Sequence, residues 1–82
     1  MDIVQQTINY DVAIEILAIM RTTANKARCA ATSEEEREKQ WQLIRTYNAE
    51  QRILDGLTGD EDARKAVYDK VFRFYAPIVN TR

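Results

Sequence analysis

Any chemistry carried by this chain must run on carboxylates, tyrosines, lysines or its one cysteine, Cys29, because its 82 residues include no histidine. Without imidazole there is no side chain whose ordinary pKa lies near 7, no Ser-His or Cys-His nucleophile pair and no common zinc ligand set. Glu15 lies inside the apolar run Ala13 to Met20, where burial would raise a carboxyl pKa and make the group an acid. No base accompanies it: Ala18 and Ile19 stand three and four residues on, and Asp11 shares its side of a helix. Glu15 therefore reads as a solvated edge residue. Cys29 sits among Ala27, Ala30 and Ala31 and reads as a small core filler; Arg28 adjoins it, but adjacent helical residues do not face each other. These residues predict no catalytic centre, no metal site and no cofactor.

The basic residues raise a second chemistry, anion or nucleic-acid binding. They fall as Arg21, Lys26 and Arg28 in the first third of the chain and as Arg64, Lys65, Lys70 and Arg73 in the last. A phosphate-binding protein needs a clustered positive face. Here Asp62 and Asp69 interleave the second group, and the sequence pI is about 5.4 at a net charge of -1. Nucleic acid is the alternative reading, with Arg21, Arg64, Lys65 and Arg73 as its contacts. The same arginines would serve an oligomer that encloses a small anion.

Aromatic residues offer a third chemistry, protein recognition, because aromatic anchors supply much of the energy at interfaces. Most of the aromatics must fill the core. The stripe Ala63, Val67, Val71, Phe74 suffices for that purpose in the last third of the chain, which leaves Tyr68, Phe72 and Tyr75 as an outward stripe. That stripe, together with Trp41, forms the expected partner-binding set.

The elements that position these groups are long helices. Gly occurs only at 56 and 59 and Pro only at 77, so residues 10 to 55 contain no strong breaker. Val12, Ile16, Ile19, Met20, Thr23 and Ala27 follow helical spacing, with Ala13, Leu17, Met20 and Ala24 beside them, and two stripes mean a wide apolar face. The spacing predicts a first helix over 10–31. Ser33 followed by Glu34, Glu35 and Glu36 is a capping box whose carboxylates also suit the positive end of the helix dipole. It opens a second helix over 34–55 with Trp41, Ile44, Tyr47, Gln51 and Leu54 on one face, stopping at Gly56. Thr58 with Glu61, or Asp60 instead, caps a third helix over 60–76, which Pro77 should end.

Short connections make neighbouring helices antiparallel. The expected fold is all-α, a compact three-helix antiparallel bundle in one domain over 1–82, completed by homo-oligomerisation through surplus apolar stripes on the first and third helices. The first residues, MDIVQQTINY, lack a basic region followed by an apolar core, and no apolar run is long enough to span a bilayer. A cytoplasmic protein without membrane contact is expected. The segment Ala49 to Leu57 places Gln51, Asp55 and Gly56 where the inhibitory helix of Fic-type antitoxins carries Ser or Thr, Glu and Gly. Only the glycine matches, and no family is assigned. The expected function is that of a non-catalytic interaction module, an inhibitor, antitoxin or adaptor of bacterial, plasmid or phage type that occupies a surface of a larger partner protein.

Overall fold

The computed structural model describes the backbone of residues 3–80 and the side chains of residues 8–80. Helix α1 spans Ile3–Ala30, α2 spans Glu34–Leu54 and α3 spans Glu61–Lys70; a π-helical turn over Val71–Tyr75 joins α3 to a short α4 over Ala76–Asn80. The fold is all-α, with no strand among the described residues. Helix α1 thus begins well before Tyr10. At 1.5 Å per residue its 28 residues run about 42 Å, which sets the long dimension of a 47 × 28 × 15 Å molecule.

Both internal helix starts are made by side chains. Ser33 is extended and its hydroxyl accepts the Glu36 N–H at 3.1 Å. The Glu36 carboxylate turns to Gln40 and Glu34 pairs with Arg37, so the glutamate run is absorbed locally. At the third start the choice falls on Asp60, whose carboxylate accepts the Ala63 N–H at 2.9 Å. Helix α2 ends in a Schellman motif: Gly56 N–H reaches Ile53 O, Leu57 N–H reaches Arg52 O, and Gly56 takes φ 79°.

Helix α1 packs along α2 and also against the π-turn and α4, while α2 packs against α3. The core between them holds Ala13, Ile16, Leu17 and Ala24 of α1, Ile44, Tyr47 and Leu54 of α2, and Val67, Val71 and Tyr75 beyond. Only part of the broad α1 face is used, and Val12 stays exposed. Cys29 is exposed as well, not a core filler, because the buried stripe of α1 runs through Ala24 and leaves the last turn outside.

The last third of the chain departs furthest from expectation. Helix continues through Pro77 to Asn80 instead of ending at 76. Within the π-turn the Ala76 N–H bonds to Val71 O, five residues back, so the turn holds one residue more than an α-turn. Pro77, which in a regular helix would press on the carbonyl four residues back and lacks a donor, comes just after Ala76, whose N–H closes that widened turn. The extra residue also rotates everything after it. Val67, Val71, Tyr75 and Val79 now stack towards the core, whereas regular spacing would have turned Phe74 and Ile78 inwards. Phe74 is consequently 58% exposed and Tyr75 only 8%, which reverses the expected roles of these two aromatics.

Candidate functional site

Burial of Tyr75 completes a polar cluster that the sequence did not announce. Glu50, on α2, is 6% exposed, the one charged residue buried among the described residues. Tyr75 donates its hydroxyl to Glu50 Oε1 at 2.7 Å, and Lys70 Nζ lies 3.0 Å from Oε2. The Lys70 ammonium also stands 5.5 Å from the Tyr75 ring centroid, and Tyr47 meets Tyr75 edge to face at 5.4 Å. Both oxygens of the carboxylate are therefore partnered, which is what a buried charge requires.

Electrostatics in this cluster favour a clamp over an acid or base. Burial, then the hydrogen bond to Glu50, pushes the Tyr75 phenol up to about 12. Tyr47 is raised by burial and then by the Glu50 charge, and Lys70 is raised first by its bond to Glu50. Groups held in those states stay protonated near neutral pH. Their joint effect is to tie α2 to the end of α3 and the π-turn. Glu50 was missed because the helical repeat from Tyr47 to Leu54 admits either residue 50 or 51 between them, and Gln51 reads as the less costly choice.

Two members of the expected outward stripe, Tyr68 on α3 and Phe72 on the π-turn, line a groove. Tyr68 and Phe72 lie one turn apart with rings parallel, 6° between planes and 6.3 Å between centroids. Phe72 is 37% exposed and Tyr68 is half-buried. They wall a groove of about 570 Å³ between Asn9 of α1 and the α3 residues Arg64 and Lys65, with Glu61 and Asp69 also lining it. Tyr68 is raised by burial and lowered by Arg64, which places that guanidinium in the field of the phenol. Next to the groove, Tyr10 donates to Asp55 and ties the first part of α1 to the end of α2.

Other predicted site residues lie elsewhere. Trp41 stands on α2 with Arg28 and Arg45 over its ring, 39% exposed, beside Arg21, Asn25 and Lys26 of α1. From Asn9 to Asn25 is about 24 Å along α1 at 1.5 Å per residue, so Trp41 does not share a surface with Tyr68 and Phe72. Of the basic set, Arg64 and Lys65 share the groove, Arg21 donates to Gln51, and Arg73 pairs with Asp69 at 3.2 Å. Glu15 is exposed. Among the described residues, no three of His, Cys, Asp and Glu converge on a metal position, and no helix is long and apolar enough to cross a membrane. No family model, curated protein or solved structure matches the chain.

Proposed function

We propose that this chain is a small cytoplasmic, non-catalytic interaction module, an antiparallel three-helix bundle completed by self-association, that occupies a surface of a larger partner protein as an inhibitor, antitoxin or adaptor of bacterial, plasmid or phage type. The observation that carries the reading is the stacked Tyr68 and Phe72 pair left in a groove, flanked by paired-sign charges. Apolar centre and polar rim are the anatomy of an interface, and its anchors are rigid aromatics. The antiparallel arrangement is supported by the short connection at 31–33 and by the Tyr10 to Asp55 bond between the first part of α1 and the end of α2. Self-association is supported by Phe74 and Ile78, exposed one turn apart on another side of the last helical segment. Tyr75 leaves the partner-binding set because it is buried.

A Tyr68→Ala/Phe72→Ala variant tests the reading by sedimentation and by retention of bound protein from a nuclease-treated lysate. We expect it to stay folded, to keep its oligomeric state and to lose the partner. A folded variant that keeps the partner removes this face as the interface. Arg64 and Lys65 in one groove favour, secondarily, a nucleic-acid-binding regulator with α1 and α2 as a helix-turn-helix-like unit. Binding that falls steeply with salt selects that alternative.

A further inference from the structure

Among the described residues, no carboxylate forms an ion pair with the positive charge around Trp41. The turn between α1 and α2 brings Arg21, Lys26 and Arg28 of α1 to the side of α2 that carries Trp41 and Arg45. The guanidinium carbons of Arg28 and Arg45 lie 5.5 Å and 5.3 Å from the indole centroid, where the ring's negative face holds them. Arg28 Nη2 donates to Asn25 Oδ1 at 2.9 Å and Arg21 Nη1 donates to Gln51 Oε1. These neutral oxygens orient the guanidiniums and leave their charge in place. The ion pairs among the described residues lie elsewhere, joining Arg37 to Glu34, Lys70 to Glu50 and Arg73 to Asp69. Glu38, one turn before Trp41, accepts from Gln42 at 2.8 Å. The Nε of Arg28 is buried with no hydrogen-bond partner. A cavity of about 390 Å³ opens here, lined by Arg21, Asn25, Lys26, Trp41, Ile44 and Asn48 and, among the described residues, by no carboxylate.

We propose that this cleft binds an acidic, extended peptide segment of a partner protein. Arg21, Lys26, Arg28 and Arg45 take its carboxylates, guanidinium forks being matched to carboxylate geometry. A peptide fits better than a nucleic acid because two guanidiniums already cover the indole, so the ring holds cations instead of offering a free face to a base. The site lies apart from the Tyr68 and Phe72 groove and does not depend on it.

Trp41 is the only tryptophan of the chain, so its emission reports on the cleft directly. The full chain is titrated with a short glutamate-rich peptide, and with an oligothymidylate of equal charge. We expect a saturable change of emission with peptide, at a Kd below about 1 mM. The double reversal Lys26→Glu/Arg45→Glu, at exposed positions, should weaken it about tenfold or more with the thermal midpoint kept. The Tyr68→Ala/Phe72→Ala variant should bind the peptide as the parent does, which separates failure of the groove from failure of the cleft. An unsaturable response, or an affinity untouched by the reversal, overturns the proposal. Tighter binding of the oligothymidylate overturns it in favour of nucleic acid.

Discussion

Glu50 shows how one side chain can be costly alone and stabilising in company. Its carboxylate is out of water, and it is tolerated because Tyr75 and Lys70 satisfy both oxygens. Replacing Glu50 with Ala leaves the Tyr75 hydroxyl buried without an acceptor. The Lys70 side chain, 45% exposed, can turn to water, so the expected loss is about 2 kcal/mol, less than for a fully enclosed pair. Glu50→Gln keeps an acceptor and should cost about 1 kcal/mol; urea unfolding of the two variants checks the order. Tyr75 also predicts the alkaline limit of stability. Its folded pKa of about 12 exceeds the unfolded value of 10.0, so above pH 10 the unfolded chain sheds a proton that the folded one keeps. Stability is unaffected below pH 10 and falls by about 1.4 kcal/mol per pH unit as pH rises towards 12. Tyr10, Tyr47, Tyr68 and Lys70 are raised as well and act with the same sign. Denaturation curves against pH should show a shallower alkaline loss for Tyr75→Phe; an unchanged slope would contradict this account.

At the scale of elements, ends and register carry the interest. Gly56 takes φ 79°, and a Cβ there would also stand 3.0 Å from Arg64 Nη2; Gly56→Ala should therefore lose about 1 to 2 kcal/mol. Asp60→Ala should lose about 1 kcal/mol and Thr58→Ala nearly nothing, because Asp60 alone caps α3. Thermal unfolding of the three variants tests that assignment. The π-turn is tested by a contrast between neighbours. Tyr75→Ala removes a buried ring and should cost about 3 kcal/mol or more, while Phe74→Ala removes an exposed one and should cost under about 1 kcal/mol. A regular α-helix through this segment would give the opposite order. The sequence pointed to these three helix ends because Ser33, Gly56 and Asp60 act through their own neighbours. Register in the last helix was not legible, because Phe74 and Tyr75 suit either stripe by hydrophobicity alone.

The whole molecule is elongated, 47 Å in its longest dimension, and a thin shape leaves much apolar surface outside. Phe72, Phe74, Ile78, Leu57 and Ile8 are all exposed. If copies associate through these faces, the thermal midpoint must rise with chain concentration, since association draws on the folded state. A midpoint independent of concentration, measured by calorimetry over a wide range, would remove the oligomer. Helical content, the two internal starts and the stop at Gly56 were determined by the sequence itself, because periodicity and capping are set within a turn or two along the chain. That Phe72 faces out was legible on the same basis, whereas Tyr68 packs partly against the core. Only tertiary packing decided that helix passes through Pro77, that Tyr75 displaces Phe74 from the core, that Glu50 is buried, and that Trp41 stands among arginines with which no described carboxylate pairs. Each of these depends on what another helix presents at that height, and no local pattern encodes the partner across the core.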